Sequence, residues 1–290
     1  MKERMENAYT ETMFLLKKYN ITANKSLGQN FLIDDDVINK TVASAEITNE
    51  DLVIEIGPGL GTLTSRLLEK AKKVIAIELD KKMIKILQER FSLYSNFELI
   101  NEDVLRVNLK ELIKKEKEEN KIKDVKIVAN LPYYITTPII MKLLEDKLDI
   151  KSITVMVQKE VAQRLAAKPG EKLAGAITYS VQYYCETELI VEVSNQSFIP
   201  APEVDSEVIN LKIRNTPPVK IEDEKIFFKL IKASFMQRRK TFLNGVSNSG
   251  LIGKEELKEI LNEMNISENV RGENLTLEQF AQISNKIGNM

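Results

Sequence analysis

The tetrapeptide Asn130-Leu131-Pro132-Tyr133 carries groups suited to holding a planar amino group for reaction. The amide oxygen of Asn130 and a backbone carbonyl of Leu131 or Pro132 can accept hydrogen bonds from the two N–H groups of an exocyclic amine. These two hydrogen bonds draw the nitrogen toward tetrahedral geometry and free its lone pair for attack. Pro132 stiffens the turn, and Tyr133 offers a ring for stacking an extruded base. A plain proline turn at a strand end is the alternative interpretation.

A glycine-rich loop, Glu55-Ile56-Gly57-Pro58-Gly59-Leu60-Gly61, lies upstream between an apolar run and a helical pattern. Glycines allow the backbone to turn tightly and to approach a ligand closely. The G-x-G-x-G spacing differs from the G-x-G-x-x-G of dinucleotide enzymes and resembles the S-adenosylmethionine loop of Rossmann-like methyltransferases. We therefore expect Gly57 and Gly59 to contact that cofactor, whose ammonium group favours the nearby Glu55; a structural turn with incidental glycines is the alternative.

Two acidic residues follow the next two apolar runs. Glu78 ends one run, where a carboxylate can bind both hydroxyls of a ribose. Asp103 follows the other, where it can accept a hydrogen bond from the adenine amino group of the cofactor. Each could instead cap a helix, for which Asp80 is the better candidate. Their occurrence at consecutive strand ends favours cofactor binding.

Short apolar runs alternate with helical patterns through the first two-thirds of the chain, which predicts a mostly parallel sheet with helices on both faces. The runs are Leu52–Ile56, Val74–Ile77, Phe97–Ile100, Val125–Ala129 and Ile153–Val157, and the helical patterns are Leu63–Glu69, Lys81–Phe91, Leu109–Glu119 and Pro138–Leu144. We expect Glu188–Val193 and Glu207–Ile213 to join this sheet and Glu6–Tyr19 to form an amphipathic helix.

After Pro217-Pro218 the pattern becomes wholly helical. The segments are Ile226–Phe235, Thr241–Val246, Lys254–Met264 and Leu277–Ile287. We predict a domain boundary near residue 215, with an α/β domain of the Rossmann-like class I methyltransferase type over residues 1–215. A small all-helical domain then covers residues 216–290.

The chain contains no histidine, which excludes Ser-His and Cys-His nucleophiles and His-ligated zinc. No metal is expected. Methyl transfer from a sulfonium suits this composition, because the neutral thioether that leaves needs no strong base and the proton can pass to water afterwards. The single cysteine, Cys185, lies in the apolar run Ile177–Cys185 and is expected to be a buried thiol in a reducing cytoplasm.

Neither a membrane span nor a secretory signal is expected, since no run of eighteen apolar residues occurs and no apolar segment follows Met1–Glu6. The net charge of −1 means that a surface for RNA requires segregated charge. The densest basic cluster combines Arg238-Arg239-Lys240 with Lys229 and Lys232; Lys17-Lys18 and Lys25 are weaker candidates. A solvated helix end is the alternative for this cluster.

Several motifs together resemble the bacterial small-subunit ribosomal RNA adenine dimethyltransferase family. They are Ser26–Leu32, Val53–Gly61, Asn130–Pro138, Gln158–Ala162, Phe198–Ser206 and Ser234–Lys240. The likeness runs from about Lys25 to the last helices. It implies an S-adenosylmethionine-dependent enzyme that dimethylates two adjacent adenines near the 3′ end of 16S rRNA in the immature small subunit, with the helical domain binding RNA.

The resemblance also assigns residues. Cofactor contacts would fall on Asn30, Leu32, Gly57, Glu78, Asp103 and Asn130. Phe198 would sandwich the flipped adenine with Tyr133. A monomer is expected.

Three alternatives stay open at this point. The macrolide-resistance methyltransferases of the large subunit more often have isoleucine where Leu131 stands and usually lack the Leu27-Gly28 pair. A non-catalytic nucleic-acid-binding factor on the same fold would be expected to lose the acids and Asn130. A nicotinamide-dependent oxidoreductase is disfavoured by the glycine spacing.

Overall fold

The computed structural model describes residues 7–24, 27–237 and 239–290. Predictions that rest on the segment 1–6, Lys25, Ser26 and Arg238 lie outside the described residues. The chain groups into two compact units. The first comprises the residues up to 162 together with 188–213, and the second comprises residues 163–187 and 214–290.

A seven-stranded sheet forms the centre of the first unit. Its strands are β2 (Leu52–Ile56), β3 (Lys73–Glu78), β4 (Phe97–Asn101), β5 (Val125–Asn130), β6 (Ser152–Gln158), β7 (Cys185–Val193) and β9 (Ser206–Ile213). The strand order is β4-β3-β2-β5-β6-β9-β7, in which β2 to β6 pair in parallel and β9 runs antiparallel to β6. The predicted α/β fold is therefore confirmed, and the two later segments join the same sheet.

The central strands are mostly apolar because helices flank the sheet, with Glu55 of β2 and Lys126 of β5 as buried charged exceptions. All five residues of β2 are buried, as expected for a parallel strand covered on both faces. The register places Ile56 opposite both Ile77 and Ala129. The chain segments that leave β2, β3 and β5 consequently emerge side by side at one edge of the sheet.

The helices of this part of the chain are α1 (Ala8–Lys18), α2 (Asp35–Ser44), α3 (Thr62–Leu68), α4 (Lys81–Arg90), α5 (Leu109–Asn120), α6 (Thr136–Glu145) and α7 (Lys159–Ala166). Four of these seven helices, α1, α2, α4 and α5, begin at a residue whose side chain caps the helix. Asp80 caps α4 by accepting the Lys82 N–H, as predicted, and Asp34 caps α2. Helices α2 and α7 were not predicted, although Asp34 before an acidic first turn is a recognisable start signal.

A separate two-stranded antiparallel sheet joins the N-terminal motif to a distant part of the chain. Strand β1 (Phe31–Leu32) pairs with β8 (Phe198–Ile199), with Leu32 opposite Phe198. Strands of two residues carry no periodicity, so the sequence pattern did not predict this pairing.

The second unit is helical. Its helices are α8 (Ala176–Tyr184), α9 (Glu224–Met236), α10 (Phe242–Ser247), α11 (Lys254–Glu263) and α12 (Leu277–Gly288). The chain enters this unit a second time at Arg214, next to the predicted boundary. Residues 163–187, which were predicted to lie in the first domain, also belong to the second unit. The reason is packing, since Tyr179 and Tyr183 of α8 share a core with Phe227 and Phe280.

Cys185 is fully buried, as expected, and burial raises the pKa of its thiol to about 12. None of the described helices is long and apolar enough to cross a membrane.

Candidate active site

A cavity opens at the carboxyl-terminal edge of the parallel strands. Its volume, with the space open to solvent included, is about 1130 Å³. The predicted residues that line it are Asn30, Leu32, Gly57, Gly59, Glu78, Asp103, Asn130, Leu131, Pro132 and Tyr133. Ligands bind outside this edge in open α/β sheets. The fold therefore brings together motifs that are scattered along the chain.

The glycine loop leaves room beside its backbone. Gly57 and Gly59 have φ angles of 67° and 58°, a region that side chains disfavour. A Cβ added to Gly57 would meet no described heavy atom within 4 Å, so the space next to it is open to a ligand. The Gly59 N–H donates to Glu78 Oε2 at 3.1 Å and ties the loop to the next strand end.

Glu78 and Asp103 each hold a local turn while they line the cavity. Glu78 Oε1 accepts the Asp80 N–H at 2.8 Å, and Asp103 Oδ1 accepts the Leu105 N–H at 2.9 Å. Burial raises the pKa of Glu78, and the backbone N–H groups of Asp80 and Gly59 oppose that shift. The capping alternative and the cofactor role are thus compatible for both acids, because each carboxylate has further acceptor sites.

Glu55 is buried at the base of the loop, with 1% of its surface exposed. Burial raises the pKa of its carboxyl to about 8, and the charge of Glu78 adds to this rise. Thr64 and the charge of Arg90 act in the opposite direction and lower the pKa. Oε2 of Glu55 has no hydrogen-bond partner among the described residues, and Thr64 Oγ1, although it lies close enough to affect the pKa, has none either. This carboxyl is therefore neutral below about pH 8, and a positively charged ligand in the cavity beside it would favour its ionised form.

The amide of Asn130 is oriented by the N-terminal motif. Its Nδ2 donates to the backbone carbonyl of Asn30 at 3.2 Å, and Asn30 Nδ2 donates to the Gly28 carbonyl at 3.2 Å. With Nδ2 engaged in this way, Oδ1 is the end of the amide that remains to accept from a substrate amine.

The second acceptor predicted from the sequence was the carbonyl of Leu131 or of Pro132. The Pro132 carbonyl already accepts from the Ile135 N–H at 3.2 Å and from Thr136 Oγ1 at 3.1 Å. Both of its lone pairs are thus in use. The structure favours the carbonyl of Leu131, whose side chain is buried and whose N–H is fixed by the Met156 carbonyl at 3.1 Å.

The two aromatic residues predicted to hold the target base lie in different environments. Tyr133 lines the cavity, and its hydroxyl lies 2.6 Å from Ser206 Oγ; burial raises the pKa of this tyrosine, whereas the Ser206 contact lowers it. Phe198 is 3% exposed and packs in the hydrophobic core of the first unit, outside the residues that line the cavity. In this structure its ring is not presented to a base, and the predicted sandwich stays a prediction.

Comparisons with known proteins identify the family. The family model described as "Ribosomal RNA adenine dimethylase" matches residues 20–289. The chain belongs to this family. It is 48% identical over 281 residues to "Ribosomal RNA small subunit methyltransferase A" of Clostridioides difficile, covering 97% of this chain and 96% of the relative. The protein of that name from a Geobacillus species is 49% identical over 279 residues, covering 95% of each chain.

Solved structures agree with this assignment. A dimethyladenosine transferase from Plasmodium falciparum matches with a TM-score of 0.72 and 27% identity, over 87% of this chain and 95% of that one. The 23S rRNA methyltransferase ErmE matches with a TM-score of 0.66, over 89% of this chain and 100% of that one, and at 23% identity it supports the fold alone. As a ribosomal RNA adenine dimethylase, the chain is a methyltransferase, and the oxidoreductase alternative is wrong.

Two residues that line the cavity, Gln29 and Tyr134, were not predicted from the sequence to have a role. Gln29 Nε2 donates to Asp80 Oδ2 at 2.8 Å, and its Oε1 accepts the Asn24 N–H at 2.8 Å, so it fastens the N-terminal motif to the start of α4. Tyr134 lines the cavity with more than half of its side chain exposed. The spacing of residues in the sequence predicts neither the hydrogen bonds of Gln29 nor the position of Tyr134 at the cavity. In the described part of the chain, no cluster of three or more acidic or cysteine side chains could hold a metal ion.

Proposed function

We propose that this dimethylase uses S-adenosylmethionine to dimethylate the exocyclic amino groups of two adjacent adenines near the 3′ end of 16S rRNA, in the immature small subunit. The observation that carries the proposal is the Asn130 amide, whose Nδ2 is held by the Asn30 carbonyl while it lines the same cavity as the glycine loop and Glu78. The substrate follows from the relatives named small-subunit methyltransferases, which share almost half of their residues with this chain.

Three features of the cavity fit S-adenosylmethionine: the open space beside Gly57, the unpaired oxygen of Glu55 and the buried carboxylate of Glu78. Glu78 would bind the ribose hydroxyls, Asp103 the adenine amino group and Glu55 the ammonium group. Asn30, Leu32, Gly57, Gly59 and Asn130 would complete the contacts. When bound, the cofactor supplies an electrophilic methyl group on a sulfonium.

The chain's own residues would prepare the nucleophile. Asn130 Oδ1 and the Leu131 carbonyl accept hydrogen bonds from the two N–H groups of the target adenine's exocyclic amine. These hydrogen bonds reduce the conjugation of the nitrogen lone pair with the ring. Pro132 fixes the turn, and Tyr133 stacks on the base. The proton leaves to water after transfer, so a chain without histidine is sufficient for the reaction. Pairing of Phe198 with the base would require its ring to leave the core.

RNA affinity would come from the helical unit. Lys229, Lys232, Arg239 and Lys240 are all exposed there, and cations of this kind contact phosphates without reading the sequence. Lys17 is exposed as well, whereas Lys18 is engaged with Glu89 at 2.7 Å and is the weaker candidate for RNA contact. The protein would act as a monomer on a substrate whose bases are extruded.

The deciding experiment incubates the full chain with immature small subunits and with large subunits, in the presence of cofactor labelled on the methyl group. Mapping of the modified bases should show dimethyladenosine at two adjacent positions near the 3′ end of 16S rRNA. Label confined to large-subunit RNA would overturn the substrate. If no RNA were labelled while the cofactor still stabilised the protein against heat, the proposed activity would be wrong. The proposed cofactor site would remain supported in that case.

A further inference from the structure

Tyr134 is a large aromatic residue at the mouth of the active-site cavity, with 56% of its surface exposed. It occupies the middle of a single 3₁₀ turn, Tyr133–Ile135, directly after the tetrapeptide that holds the target amine. The backbone position of Tyr134 is therefore fixed by the same turn that presents the catalytic groups.

The ring of Tyr134 is supported on one side by the N-terminal motif. Gly28 has a φ of 63°, and a Cβ added there would lie 3.3 Å from Cδ1 and 3.4 Å from Cε1 of the tyrosine ring. The same point lies 3.6 Å from Pro132 Cβ. Gly28 thus allows the ring to rest close to the backbone, which limits the motion of the ring on that side.

The two consecutive tyrosines take different directions. The hydroxyl of Tyr133 reaches Ser206 at the start of β9, whereas the Tyr134 ring lies beside Gly28. Adjacent residues of a 3₁₀ turn point about 120° apart. One ring is consequently available to a base inside the cavity and the other to a group at its rim.

An RNA substrate places a nucleotide at that rim. When the target base enters the cavity, the neighbouring nucleotide stays covalently attached outside it and has lost the stacking partner that was flipped out. An exposed, supported aromatic ring is the surface on which such a base stacks, irrespective of its sequence. Because the ring is already held, little conformational entropy is lost on contact.

We propose that Tyr134 is the stacking platform for the nucleotide adjacent to the target adenine. The inference rests on the proposed function, since it requires an RNA substrate whose base enters this cavity. Tyr134 contributes to the binding and placement of the RNA, whereas Asn130 and Leu131 hold the amino group that is methylated.

The test compares Tyr134→Leu with Tyr134→Phe in steady-state methylation of small subunits, with the KM for RNA and the KM for cofactor measured separately. The matched control is Tyr94→Leu, at another exposed tyrosine (43%) that lies between α4 and β4, at the opposite edge of the sheet. Tyr134→Leu should raise the KM for RNA by about five- to twentyfold, in the lower part of the range for loss of base–aromatic stacking. The KM for cofactor should stay unchanged, and both Tyr134→Phe and Tyr94→Leu should behave as the wild type.

Each other outcome is informative. A rise in the KM for cofactor without a change for RNA would overturn the proposal and make Tyr134 a cover over the cofactor. Equal activity of Tyr134→Leu and Tyr134→Phe would also overturn the proposal, because an apolar contact would then suffice. The proposal would likewise be overturned if Tyr94→Leu raised the KM for RNA as much as Tyr134→Leu. If the wild type methylated no small-subunit RNA, the proposed function itself would fail, which the wild-type reaction reveals before any variant is compared.

Discussion

Replacing Glu55 with glutamine should make the protein progressively more stable than the wild type as the pH rises. Glu55 is fully buried beside the glycine loop, and burial raises the pKa of its carboxyl from 4.5 to about 8. In the unfolded chain the same group ionises near 4.5. Between these values the folded protein binds a proton that the unfolded chain has lost, so the wild type loses stability as the pH increases. Glutamine cannot ionise and removes this dependence.

The magnitude follows from the size of the pKa shift. The pKa values of Glu55 in the unfolded and the folded protein differ by 8 − 4.5 = 3.5 units. A difference of one unit corresponds to about 1.4 kcal/mol of unfolding free energy. Between pH 5 and pH 8 the difference in unfolding free energy between Glu55→Gln and the wild type should therefore grow by roughly 3–4 kcal/mol. The stabilisation from the protonated carboxyl is complete below pH 4.5 and is lost as the pH rises through about 8.

Urea denaturation at several pH values between 5 and 8 measures this difference. Circular dichroism is the suitable probe, because the chain contains no tryptophan. Glu118→Gln, which removes an exposed carboxyl from α5, is the matched control and should run parallel to the wild type. If the Glu55→Gln and wild-type curves of unfolding free energy against pH were also parallel, Glu55 would be ionised in the folded protein and the burial argument would be refuted.

Three further predictions concern catalysis and packing. Asn130→Ala should lower methyl transfer by about 100-fold, the scale for losing one preorganised hydrogen-bonding group, while calorimetry still detects cofactor binding; undiminished dimethyladenosine would contradict the mechanism. Gly61→Ala should cost about 2–5 kcal/mol, because its φ is 83° and the new Cβ would lie 2.6 Å from Phe91 Cε2. Gly57→Ala, which has a positive φ but no clash, should cost only about 1 kcal/mol, and equal losses in denaturation would refute the packing argument. Tyr179→Phe should cost about 1–3 kcal/mol, because its hydroxyl lies 2.7 Å from the Leu275 carbonyl; an unchanged midpoint of unfolding would count against it.

The sequence predicted the strands and helices whose pattern is local. Residues 52–56 form β2 with the predicted bounds, and Asp80 caps α4 as expected. Apolar alternation and capping depend on residues a few positions apart, so they can be seen without tertiary contacts. The same holds for the edge on which the site lies, because parallel strands have their carboxyl ends on one side.

The domain division was only partly predictable. The boundary near residue 215 corresponds to the return of the chain to the helical unit at Arg214. The inclusion of residues 163–187 depends on where Tyr179 and Tyr183 are packed. An apolar run such as Ile177–Cys185 fits a buried strand or a buried helix equally well, and its periodicity cannot distinguish them.

Amino-acid order by itself determined which chemical groups are available: glycines before a helix, acids after strands, an amide before a proline and no imidazole. Tertiary structure alone decided how they are arranged. Pairing of Leu32 with Phe198 brings two distant motifs together, the Asn30 carbonyl orients the amide of Asn130, and neighbouring donors occupy the Pro132 carbonyl. Hydrogen bonds of this kind join residues far apart in the chain, and their geometry exists only after the sheet has formed. The tetrapeptide therefore supplies two candidate carbonyls, and the folded turn favours the one at Leu131.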